Sequence, residues 1–115
     1  MKVGVIRCEL VAENCPGSSC FEAMREKKGA FEDVKEEIIV VGFMTCGGCP
    51  GKKVSFKVKA LLEKGADTIA ISSCITKGYP VGEAFVCPNA EEIKKAVEAT
   101  VKKIKPEARV LDWTH

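Results

Sequence analysis

Histidine is almost missing from this chain of 115 residues, with His115 the one copy. A lone imidazole at that position cannot anchor a Ser-His-Asp constellation around mid-chain, so hydrolase chemistry of that kind is not expected. Arginine is scarce too: three of the eighteen basic residues are arginine, and the formal net charge is only +2. A nucleic-acid surface usually shows a concentrated basic face richer in arginine. Here most lysines stand near glutamates in helical stretches and read as a solvated face, so no nucleic-acid partner is expected. No apolar run approaches the roughly 20 residues that span a bilayer. The start, Met1-Lys2-Val3-Gly4-Val5-Ile6-Arg7, is charged again too early for a secretory apolar region. The expectation is a soluble, cytoplasmic protein with no membrane partner. Phosphate-cradling signals are missing as well, since neither Gly-x-x-x-x-Gly-Lys-Ser/Thr nor Gly-x-Gly-x-x-Gly occurs.

Against these absences stand seven cysteines: Cys8, Cys15, Cys20, Cys46, Cys49, Cys74 and Cys87. In a secreted chain this density would build a disulfide scaffold, but an odd count does not pair fully. Cytosolic thiols stay reduced, and clustered ones more often bind metal or do redox chemistry. The length and the 46% hydrophobic content suffice for one domain, 1–115, with a core of its own.

Apolar patterning gives four strands and three helices in alternation. Strands are expected at residues 2–8, 37–43, 66–72 and 108–113. The run Ile38-Ile39-Val40-Val41 favours a strand buried on both faces. Helices are expected from Cys20 to about Lys28, from Cys49 or Pro50 to about Lys64, and after Asn89 to about Lys103. Ser19 with Glu22, and Asn89 with Glu92, have capping-box spacing. Residues 9–18 and 73–88 read as loops, the latter containing Gly78, Pro80 and Gly82. Buried-type strands alternating with amphipathic helices imply an α/β fold: a three-layer α/β/α sandwich on a four-stranded parallel sheet of order 2-1-3-4.

In such sheets ligands sit beyond the carboxyl ends of the strands. Cys8 ends the first strand, Cys46 and Cys49 follow the second, and Cys74 follows the third. Cys15, Cys20 and Cys87 also lie between a strand end and the next helix. Some of the seven could equally be small buried hydrophobes, as free cysteine often is. Cys46-Gly47-Gly48-Cys49-Pro50 has the two-residue gap used by zinc ligands, iron–sulfur ligands and redox dithiols. A helix starting at Cys49 or Pro50 would stabilise a thiolate there. Cys20 would sit in a first helical turn, with four residues between it and Cys15, with which it could close a disulfide; both count as secondary thiols. Arg7 is expected to face away from Cys8 by strand alternation. Ser72 and Ser73 are candidate hydrogen-bond donors, Lys52, Lys53 and Lys77 candidate counter-charges, Tyr79 a lid or loop residue, and His115 a ligand or a frayed end.

These residues resemble the CGGC-domain family of small bacterial and archaeal proteins. The resemblance covers nearly the whole chain. It rests on Ile6-Arg7-Cys8, on Cys15-Pro16-Gly17 with Cys20, on Thr45-Cys46-Gly47-Gly48-Cys49-Pro50-Gly51-Lys52 after Gly42-Phe43, on Gly65-Ala66-Asp67, on Ser72-Ser73-Cys74 and on Cys87-Pro88. It implies a cysteine-rich metal site of undefined chemistry. Family descriptions include histidines beside the cysteines, whereas this chain has only His115 and carries Asn89 after Cys87-Pro88.

The combined expectation is a metal-binding domain. Cys8, Cys46, Cys49 and Cys74 are the first-choice ligands, Cys87 is a substitute, and zinc or an iron–sulfur cluster is the cofactor. The rival is a thiol–disulfide oxidoreductase or redox sensor in which Cys46 or Cys49 attacks and the other resolves, with a protein or small thiol as redox partner.

Overall fold

The computed structural model describes residues 1–79 and 82–115. Pro80, in the second long loop read from the sequence, lies outside the described residues. Four strands form one parallel sheet in the order β2-β1-β3-β4: β1 Lys2–Arg7, β2 Ile39–Thr45, β3 Thr68–Ile71 and β4 Arg109–Leu111. Helix α2 (Ser18–Glu26) covers one face, while α3 (Val54–Glu63) and α5 (Ala90–Ile104) pack together on the other. The expected α/β/α sandwich and strand order are what the chain adopts.

Alternation along the central strands explains the two cores. Val3 and Val5 of β1 and Ala70 of β3 join Ala23, Met24 and Phe31 on the α2 side. Ile6, Ile69 and Ile71 point the other way and meet Val58, Leu61, Val97 and Val101. A period of two gives each central strand two buried faces.

The β-branched run of β2 suggested the same double burial, but β2 is an edge strand. It is mostly half-buried, and Ile39 is 45% exposed. Its register against β1 slips once, where Val3 pairs with Val40 and Gly4 with Gly42. Leu61 of α3 lies directly on that glycine pair. A Cβ at Gly4 would stand 2.9 Å from Leu61 Cδ1, and one at Gly42 would overlap Leu61 Cδ2. The missing side chains let α3 approach the sheet.

Helix ends differ from the spacing-based expectations. Helix α2 starts two residues earlier, behind Gly17 in the left-handed region (φ 84°), with no side-chain cap. Neither Ser19 nor Asn89 makes a capping hydrogen bond. Helix α3 begins only at Val54, so neither Cys49 nor Pro50 occupies its first turn. Two one-turn helices fall inside stretches read as loops: α1 (Glu9–Ala12) and α4 (Ser73–Thr76). No helix among the described residues is long and apolar enough to cross a membrane.

Candidate functional site

The carboxyl ends of the strands deliver their side chains into a crowded rim. As β1 leaves the sheet, the N–H of Cys8 runs out of ladder partners and donates to Cys74 Sγ at 3.3 Å. The ladder continues one step on either side, with Cys46 N–H donating to Arg7 O at 2.7 Å and Ser72 N–H to Ile6 O at 2.9 Å. Cys46 and Cys74 are buried in the core beneath α3 and α5, with Cys8 and Cys87 packed against it. Cys20, on the inner side of α2 itself, is buried in the opposite core. Cys49 is exposed.

This division overturns the expected metal centre. All seven cysteines are free. Among the described residues no three His, Cys, Asp or Glu side chains are placed to hold one ion. The zinc or iron–sulfur cofactor and the four-thiolate ligand set of Cys8, Cys46, Cys49 and Cys74, with Cys87 in reserve, are therefore corrected. The redox dithiol is corrected with them: no cysteine pair is joined, Cys46 is buried and Cys49 points to solvent. Without a helix start at Cys49, the electrostatic reason for a thiolate there also disappears.

Two sulfurs instead serve their own turns. Cys15 Sγ accepts from Gly17 N–H and Cys87 Sγ from Asn89 N–H, both at 3.4 Å. Each cysteine precedes a proline, and each turn leads into a helix, α2 or α5. The repeated Cys-Pro step is thus a helix-entry device, with sulfur as a weak acceptor for an otherwise orphaned N–H.

A cavity of about 260 Å³ opens at this rim. Cys8, Cys49, Cys74 and Cys87 contribute to its wall, with Leu10, Val11, Tyr79, Phe85 and Pro88. Burial pushes the Cys74 and Cys87 thiols above their ordinary range, so both are neutral at physiological pH. The wall is apolar and soft rather than charged. Two larger depressions, of about 440 and 390 Å³, run beside helices at Met24–Ile38 and Phe56–Ile104. They contain no thiol and lie away from the strand ends.

A smaller cavity shares Val11, Cys74 and Tyr79 with the first and reaches across to Cys20 and His115. Cys20 Sγ lies 3.2 Å from Ser72 Oγ, 3.6 Å from Thr114 Oγ1 and 3.9 Å from His115 Nδ1. Burial holds the His115 imidazole below its usual pKa; nearby Glu22 opposes the shift and Lys77 adds to it. The Lys77 ammonium itself sits 3.7 Å above the Trp113 ring. Arg7 does not turn away. Its guanidinium bonds the Cys15 carbonyl, lies 4.8 Å above the Phe43 ring and lines this cavity. Thr114 carries no sequence motif at all. Its one signal is a hydroxyl next to the only histidine at a strand's carboxyl end.

The chain is 46% identical to the uncharacterized protein MJ0582 of Methanocaldococcus jannaschii over 80 residues, which is 64% of this chain and 62% of that protein. It is 34% identical to the uncharacterized protein MJ0766 of the same organism over 62 residues, 53% of this chain and 86% of that one. The match thus spans less than two thirds of the first relative's length. No solved structure matches the chain. The CGGC domain matches residues 2–115, and the chain belongs to that family.

Proposed function

We propose that this chain binds a compact, uncharged, weakly polar molecule in the thiol-lined cavity at the carboxyl edge of its sheet. The observation that carries the reading is the cavity's wall: Cys8, Cys49, Cys74 and Cys87 set among Leu10, Val11, Tyr79 and Phe85. Burial keeps two of those thiols protonated, so the wall offers polarisable sulfur and hydrocarbon but little fixed charge. Drug-sized ligands occupy about 300–1,000 Å³. A cavity of about 260 Å³ sits just below that range and calls for a smaller guest. Its place beyond the strand ends is where open α/β sheets hold ligands.

Seven free thiols fit a reducing compartment, and we place the protein in the cytoplasm on that ground. The spread of lysines and the net charge of +2 favour a small-molecule partner over nucleic acid.

Benzyl alcohol and benzoate, nearly equal in size and differing in charge, test the reading. In thermal unfolding, millimolar benzyl alcohol raises the melting temperature of the wild type and benzoate does not. Cys87→Trp, which fills the cavity, abolishes the shift. Equal effects of both probes, or a shift that survives Cys87→Trp, contradict the proposal.

A further inference from the structure

We propose that Cys20 and His115 act as nucleophile and base, joined through the Thr114 hydroxyl, in the smaller cavity. Its substrate class is a small carbon electrophile bearing a carboxylate or carbonyl oxygen. The proposal does not depend on what fills the larger cavity.

Hydrogen-bond inventory assigns the protons. A threonine hydroxyl has one proton and two lone pairs. Ser73 N–H donates to Thr114 Oγ1 at 3.2 Å, and His115 Nδ1 stands 2.8 Å from the same oxygen. Ser73 Oγ, 3.5 Å from Thr114 Oγ1, already accepts from the Thr114 and His115 N–H groups, so the Thr114 proton goes to the shorter contact, Nδ1. The remaining lone pair is left to accept from Cys20 Sγ, 3.6 Å away. Nδ1 is then bare and the ring proton resides on Nε2.

Among the described residues that Nε2 is buried without a partner, and so is Arg7 Nε. Both residues line one cavity of about 20 Å³, which is room for the substrate's oxygen alone, so its carbon and leaving group must displace the covering Tyr79 side chain. Two buried N–H donors without an acceptor are costly to leave unpaired, and an oxygen of the substrate is the group that satisfies them. Ser72 accepts from Cys74 at 3.5 Å and stands 3.2 Å from Cys20 Sγ, so its own proton is free to support a thiolate. Cys20 is the third residue of the nine-residue α2, where the helix dipole adds to that support.

The step balances without an oxidant. Cys20 passes its proton to Thr114 as Thr114 passes its own to Nδ1. Sγ then attacks the substrate carbon, an S–C bond forms, and the leaving group departs with the electron pair of its broken bond. His115 holds the proton as imidazolium and returns it to water or to the leaving group. Tyr79 covers the pair: its ring meets His115 edge-on at 4.3 Å between centroids, and its hydroxyl lies 3.5 Å from Ser19 Oγ.

Iodoacetate and iodoacetamide, alike in size, are the probes, and peptide mass spectrometry of the native chain reads the rate at each cysteine. Exposed Cys49 is the internal reference. The iodoacetate-to-iodoacetamide rate ratio is expected to be higher at Cys20 than at Cys49. His115→Gln is expected to slow Cys20 labelling at least roughly tenfold and leave Cys49 unaffected. Thr114→Ser keeps the Cys20 rate, whereas Thr114→Val loses it. Since Cys20 is only 4% exposed, each comparison is repeated in Tyr79→Ala, which uncovers the cavity. Equal reagent ratios at the two cysteines overturn the proposal. So does a Cys20 rate indifferent to both His115→Gln and Thr114→Val, or no Cys20 labelling in either background.

Discussion

Thr114 is fully buried, and one hydroxyl there meets Ser73, His115 and Cys20. Removing it leaves the Ser73 N–H without its acceptor in a dry site, a loss of about 1–3 kcal/mol. Urea unfolding of Thr114→Val should show that loss, and Thr114→Ser should recover most of it. Titration offers a second check on single residues. Burial lowers the His115 pKa, so as pH falls below the unfolded value of about 6.5 the unfolded chain takes a proton that the folded chain refuses. Stability is then lost on acidification from about pH 6.5 downward, and His115→Gln should remove that part of the slope. Cys74 runs the opposite way. Its raised pKa means that the unfolded chain ionises first as pH climbs past about 8.5, so stability falls in alkali and Cys74→Val should flatten the decline.

Between elements, the closest approach is α3 on the β1–β2 pair, where Leu61 rests on Gly4 and Gly42. Gly42→Ala forces the Leu61 side chain aside, an overpacking cost of about 1–3 kcal/mol. Chemical unfolding of Gly42→Ala with and without Leu61→Val should show partial rescue by the smaller leucine replacement. Helix α5 was readable because Ile93, Val97 and Val101 recur at helical spacing and are all buried. Ile104 continues the spacing but is 40% exposed, because the helix ends there, just before Pro106. The one-turn helices α1 and α4 were not legible. Four residues carry too little periodicity, and tertiary contacts such as Cys8 N–H to Cys74 Sγ hold them. In hydrogen exchange, the amides of β1 and β3 should be protected longest and those of α1 among the least.

Across the whole molecule, the sheet both gathers the thiols and keeps them apart. Its topology was legible from four apolar runs separated by helix patterns, since parallel pairing and right-handed crossovers leave few arrangements. That each cysteine follows a strand end was legible too. Which face of the sheet each sulfur takes was not, because that depends on the local turn rather than on order along the chain. Cys20, on α2, faces the core on that side while Cys46 and Cys74 lie beneath α3 and α5, and Cys15 and Cys87 serve helix entry. What the rim retains is a neutral cavity between these groups. Isotope-filtered NMR with benzyl alcohol bound to the labelled protein tests this most directly. The account predicts cross-relaxation from the probe's ring protons to Cys8, Cys74 and Phe85. Contacts confined to Phe56 and Ile104, or no contacts at all, would contradict it.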